Sequence, residues 1–199
     1  MIRPPTNGTS LDDIVTTMVE RLYAEREDKE GMPARKQLVA LIESGPHLLI
    51  GAKALARYTK PRFTEDTDYL VGGQSFAHIR RWARSEGAAH EDLGAALRFP
   101  EFAVDVLDGR SNEVLTEILD HQRGIPSPEA LAAAKYVSMI NIERAQRRLQ
   151  DVSDFAQLVV LKDFDPTKLR GFLVGPYADQ WCEVVKLIED IKAGRPITI

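Results

Sequence analysis

Residues 62–71 read RFTEDTDYLV, and the spacing of their acids organises the reading of the whole chain. Strand periodicity puts Thr64, Asp66 and Asp68 on one side and Glu65, Thr67 and Tyr69 on the other. Asp66 and Asp68 are then neighbours by construction, and Gly72-Gly73 ends the element. Just upstream, HLLI (residues 47–50) has the length and apolar content of a buried strand, and GAKALARY (51–58) supplies a turn and a short helix. Downstream, QSFAHIRRWARSEG (74–87) predicts a helix with Phe76, Ile79 and Ala83 inward. FAVDVLDG (102–109) predicts a second acidic strand, with Val104 and Val106 toward the core and Asp105 facing the opposite way.

Helices flank this acidic centre. On the N-terminal side, Thr9 or Ser10 caps a helix carrying Ile14, Met18 and Leu22 on one face. A second helix starts near Pro33, runs through LVALIE and stops at Gly45-Pro46. On the C-terminal side, SNEVLTEILDHQRG (111–124) is helical, and Ser127-Pro128-Glu129 caps and opens a helix through ALAAAKYVSM. Residues 141–160 place Ile142, Ala145, Leu149, Val152, Phe155 and Val159 along an apolar stripe, with Arg144, Arg148, Asp151 and Asp154 mostly off it. DQWCEVVKLIEDIKAG (179–194) adds a closing amphipathic helix. The expected fold class is α+β: a mixed sheet with flanking helices over residues 1–125, then a C-terminal helical region over 126–199.

Composition narrows the function classes. The 199 residues are 44% hydrophobic, enough to bury a core without disulfides or a structural metal. Balancing 26 Lys plus Arg against 30 Asp plus Glu gives a net charge of -4, which argues against a strongly basic surface overall while permitting a local basic patch. The lone cysteine, Cys182, cannot form an internal disulfide, and its apolar helical surroundings predict a small core residue. His47, His78, His90 and His121 lack a shared metal spacing. Without an apolar run of membrane-spanning length or a secretion-type leader in MIRPPTNGTS, the expectation is a cytoplasmic protein with no membrane partner.

A D-x-D pair projecting from a sheet carries like-charge repulsion that solvent, protonation or a cation must offset. Carboxylate and phosphate oxygens together suit Mg2+. Asp105 completes a three-carboxylate set if its strand lies beside the first acidic strand. Such a site would align a hydroxyl nucleophile and neutralise a triphosphate, the requirements of nucleotidyl transfer. Lys53, Arg57, Lys60 and Arg62 precede it without an intervening acid and offer attraction for an NTP, with Arg80, Arg81 and Arg84 as a neighbouring basic surface. Gly51 at the strand-to-helix junction allows a close turn that exposes backbone donors to phosphate.

GAKALARY, RFTEDTDYLV, FAVDVLDG, SPEALAAAKY (127–136) and ERAQRRLQDVSDFAQL (143–158) together resemble the nucleotidyltransferase superfamily, particularly the small bacterial abortive-infection and toxin/antitoxin nucleotidyltransferases. The resemblance covers roughly residues 33–165. It implies a minimal nucleotidyltransferase-like fold in which Gly51 holds nucleotide phosphates and Asp66, Asp68 and Asp105 bind magnesium. It further implies that Lys135 approaches phosphate and that Asp151 and Asp154 organise basic groups or the acceptor pocket. One departure is clear: the turn reads Gly51-Ala52-Lys53 where the family has G-G or G-S, which removes the second glycine's freedom or the serine's hydroxyl.

The expected activity is magnesium-dependent transfer of a nucleoside monophosphate from an NTP to a hydroxyl on RNA, protein or a small molecule. Lys53 and Arg62 would offset triphosphate charge. Two alternatives stay open: a catalytically weak nucleotidyltransferase-like regulatory or interaction module, and a magnesium-dependent phosphohydrolase. An antitoxin partner follows from the resemblance, and a homodimer is compatible with the sequence.

Overall fold

The computed structural model describes residues 32–141 and 148–197. The expected helix with Ile14, Met18 and Leu22, and the stripe positions Ile142 and Ala145, lie outside the described residues. The chain forms a mixed α+β fold around one five-stranded sheet: β1 (His47–Ile50), β2 (Thr67–Val71), β3 (Glu91–Asp92), β4 (Ala96–Phe99) and β5 (Val104–Asp108), in the order β1-β2-β5-β4-β3. β2 and β5 run parallel at the centre, and the other neighbouring pairs are antiparallel. The helices are α1 (Met32–Glu43), α2 (Gly51–Leu55), α3 (Gly73–Ser85), α4 (Glu113–His121), α5 (Pro128–Ile140), α6 (Arg148–Val159), α7 (Pro166–Phe172) and α8 (Trp181–Lys192).

Strand alternation divides the core in two. Val71, Val104, Val106, Leu97 and Phe99 pack on Leu38 and Ile42 of α1 and on Phe76, Ile79 and Ala83 of α3. Leu48, Ile50 and Leu70 join the C-terminal helices in a second cluster that includes Val114, Ile118, Ala132, Met139, Phe155, Leu158 and Val184. The sheet therefore presents one face to α1 and α3 and the other to the helical region, because side chains two apart share a face. Asp68 and Asp105 stand two residues before Leu70 and Leu107, on the face turned to the C-terminal helices.

Local chemistry accounts for several boundaries. Asn112 Oδ1 accepts from the amide of Val114 at 2.9 Å to cap α4, and Ser127 Oγ accepts from Ala130 at 3.3 Å to cap α5, with Pro128 following the cap. Between these helices the chain is pinned to the sheet edge, where the Leu49 amide donates to the Gly124 carbonyl at 2.9 Å. β2 begins at Thr67, so Asp66 lies immediately before the strand rather than within it. Among the described residues, no helix is long and apolar enough to cross a membrane.

Two expectations for the helical region are corrected. Leu149 is 85% exposed, while Asp151 and Asp154, expected off the stripe, are 7% and 2% exposed. Phe155 and Val159 of the expected stripe are buried and Val152 packs against the core, and the two aspartates are buried beside them with Lys135 of the neighbouring α5 as their counter-charge. Cys182 is exposed rather than buried, since α8 turns Val184, Leu187 and Ile188 inward instead.

Candidate functional site

Strand register assembles a row of charge across the sheet. Asp68 pairs with Asp105, Asp105 with Arg98, and Arg98 with Glu91, in successive order β2, β5, β4 and β3. Cross-strand partners share a face, and neighbouring strands lie about 4.8 Å apart, so the two aspartates are flank to flank. Arg98 Nε donates to Asp105 Oδ2 at 3.4 Å, and a terminal nitrogen of the same guanidinium reaches Glu91 Oε2 at 3.3 Å. Asp105 is 8% exposed, whereas Asp66 lies at the surface.

Gly51 closes one side of this row. Its φ of +68° is in the left-handed region, and a Cβ at this position would meet Asp68 Oδ2 at 1.9 Å and Asp68 Cγ at 2.7 Å. The missing side chain is what lets the Asp68 carboxylate lie against the turn. Lys53, two residues on, donates to the Glu65 carbonyl at 3.2 Å and to Thr67 Oγ1 at 2.5 Å, fastening the segment that carries Asp66. Burial holds its ammonium below the usual lysine range and Arg35 lowers it further, with Asp66 and Asp68 pulling the other way.

A second assembly gathers Arg62, Lys135, Asp151 and Asp154. Lys135 Nζ lies 2.8 Å from Asp151 Oδ1 and 2.7 Å from Asp154 Oδ2. Ser138 Oγ donates to Asp151 at 2.7 Å, and Gln150 donates to Asp154 at 3.0 Å. Arg62 adds a contact of 3.3 Å to Asp154. Two carboxylates thus face two cations, and the hydrogen bonds of Ser138 and Gln150 occupy further acceptor positions. Arg62 belongs to the connection that leads into Asp66, and four residues of chain reach at most about 14 Å. That connection therefore joins the buried ionic cluster to the start of the acidic row.

The structure thus sorts the sequence candidates into two linked groups: Gly51, Lys53, Asp66, Asp68 and Asp105 around the sheet row, and Arg62, Lys135, Asp151 and Asp154 in the helical cluster. Among the described residues, no group of three or more His, Cys, Asp or Glu side chains is arranged to hold a metal ion. Arg80 and Arg84 both pair with Asp92 at 3.0 Å, so their charge is turned toward β3. His47 and His90 contact the carbonyls of Gly45 and Ala88 at 2.9 and 2.8 Å. Arg98 and Glu91 join the row although the sequence alone does not mark them. The alternation of Leu97 and Phe99 about Arg98 was the available signal, but only the register shows which acid the arginine meets.

No family model matches the chain, and no curated protein matches it either.

Proposed function

We propose that the chain is a magnesium-dependent nucleotidyltransferase that moves a nucleoside monophosphate from an NTP to a hydroxyl acceptor. The observation that carries this reading is the register pairing of Asp68 with Asp105 on adjacent parallel strands. Like charges directly across a sheet are destabilising unless something offsets them, and oxygen donors side by side suit a hard cation. Magnesium is commonly held by one or two carboxylates, the remaining positions being filled by water and substrate phosphate. Asp68 and Asp105 fit that donor set, with Asp66 of the adjoining segment as the third candidate. When bound, Mg2+ would supply charge neutralisation at the triphosphate and a lowered pKa at the attacking hydroxyl.

The protein's own residues supply position. Gly51 lets Asp68 lie against the strand-to-helix turn, and Lys53 fastens the residues on either side of Asp66 through the Glu65 carbonyl and the Thr67 hydroxyl. Arg62, held by Asp154, braces the connection from the helical side. Lys135 is shared between Asp151 and Asp154, so it contributes to this brace, and a direct contact with phosphate would require leaving one of those carboxylates. The acceptor belongs to the helical face, as an RNA end, a protein hydroxyl or a small molecule. An antitoxin partner and a homodimer rest on the family resemblance and on the sequence respectively.

The second reading, a nucleotidyltransferase-like module with little catalysis, is favoured by the Arg98 contact to Asp105 and by the Gly51-Ala52-Lys53 turn. Pyrophosphate release separates the two. The wild type should release pyrophosphate from an NTP only with Mg2+, and Asp68→Asn and Asp105→Asn should each abolish release while keeping the wild-type fold by circular dichroism. Release that persists in both variants would refute the assignment.

A further inference from the structure

We propose that Arg98 is a resident counter-charge: it neutralises Asp105 while the site is empty and turns to the nucleotide's phosphates when a divalent cation takes its place. This inference rests on the proposed reading of Asp68 and Asp105. Three observations support it. The register sets Arg98 directly beside Asp105, so the charges across the sheet run acid, acid, base, acid from Asp68 to Glu91. The guanidinium is divided between two acids, with one nitrogen 3.4 Å from Asp105 and another 3.3 Å from Glu91, rather than forked onto either. Its side chain is 37% exposed against 12% for Asp105, so the arginine can leave while the aspartate stays.

The contact is a single one at 3.4 Å made from the exposed side of the arginine, so the guanidinium can exchange it for another partner, provided that a cation replaces its charge beside the buried Asp105. A cation arriving at Asp105 meets the positive charge of Arg98 and displaces it. The displaced guanidinium remains tethered to β4 beside the row, with donors in a planar fork suited to phosphate oxygens. Arg98 would thus oppose the bare cation and favour the cation together with its nucleotide, coupling the two ligands through one side chain. The repulsion between a single charge and a doubly charged ion about 6 Å apart in water corresponds to roughly ten-fold in affinity.

The test is direct binding of Mn2+, followed by the electron paramagnetic resonance of the free ion, with and without a non-hydrolysable NTP analogue. It compares the full-length wild type with Arg98→Gln, Arg98→Lys and Asp105→Asn. Arg98→Gln should bind Mn2+ alone about ten-fold more tightly and the Mn2+–nucleotide pair about ten-fold more weakly. Arg98→Lys keeps the charge, so it should match the wild type for Mn2+ alone and lose affinity only for the pair. If Asp105→Asn loses Mn2+ but Arg98→Gln behaves as the wild type or binds Mn2+ more weakly, the role of Arg98 is overturned and the functional reading stands. If the wild type binds no Mn2+ even with the nucleotide analogue present, or Asp105→Asn binds it as the wild type does, the functional reading falls and this inference with it.

Discussion

Replacing Gly51 with alanine probes the contact on which the acidic row depends. Two costs are separable. The first is backbone: a φ of +68° places an L-residue in the left-handed region, at roughly 1–2 kcal/mol. The second is steric: the new Cβ would lie 1.9 Å from Asp68 Oδ2, 2.7 Å from Cγ and 3.0 Å from Cβ, so the carboxylate must move. Overpacking of this kind costs about 1–3 kcal/mol, giving a total of about 2–5 kcal/mol. Asp68→Ala removes the two shortest contacts and leaves only the Cβ at 3.0 Å. In that background Gly51→Ala should cost little more than the backbone term. Urea denaturation of the wild type, both single variants and the double variant measures the coupling, expected at about 1–2 kcal/mol. A Gly51→Ala cost equal in the two backgrounds to within about 0.5 kcal/mol would refute the claim that the glycine makes room for Asp68.

Other consequences follow from the buried groups. Asp154→Ala leaves Arg62 without this partner and Lys135 with Asp151 as its remaining carboxylate in the cluster, and should destabilise by about 3 kcal/mol in the same assay. A loss below about 1 kcal/mol would contradict the bracing role. Tyr136 donates to Gln180 Oε1 at 2.9 Å, and burial, followed by the charge of Glu183, pushes its phenol up to about 12. Because the folded value is raised, its contribution is fully present below the unfolded value near 10 and is lost as pH rises toward about 12. Tyr136→Phe should therefore flatten the fall in urea midpoint over that range, and parallel curves for the two proteins would count against it.

The parts of the fold that were legible in sequence are those decided locally. Val104 and Val106 about Asp105 announced β5, Ser127-Pro128 announced the start of α5, and Phe76, Ile79 and Ala83 marked the inner face of α3. What the sequence left open depends on partners distant in the chain. β4 is four residues long and carries only Leu97 and Phe99 as buried positions, too short a pattern to identify before its pairing with β5 is known. The burial of Asp151 and Asp154 follows from Lys135 on another helix, which an apolar stripe cannot anticipate. The Asp66–Asp68 motif was visible, but the alignment of Asp68 with Asp105 is a matter of register, as is the arrival of Arg98. In sequence Gly51 reads as a phosphate turn, because the carboxylate packed on it comes from the following strand and only the fold brings it there.

The central claim is group transfer from an NTP at the Asp68–Asp105 row. The most direct measurement follows the fates of the α- and γ-phosphates together, using wild-type protein, Mg2+, NTPs labelled at one position or the other, and RNA and protein acceptors, with mass analysis of every product. Group transfer at this row moves α-label to an acceptor as a monophosphate adduct and releases γ-label as pyrophosphate, with both signals lost in Asp68→Asn. Free phosphate without an adduct, an adduct carrying the γ-label, or unchanged transfer by Asp68→Asn would contradict it.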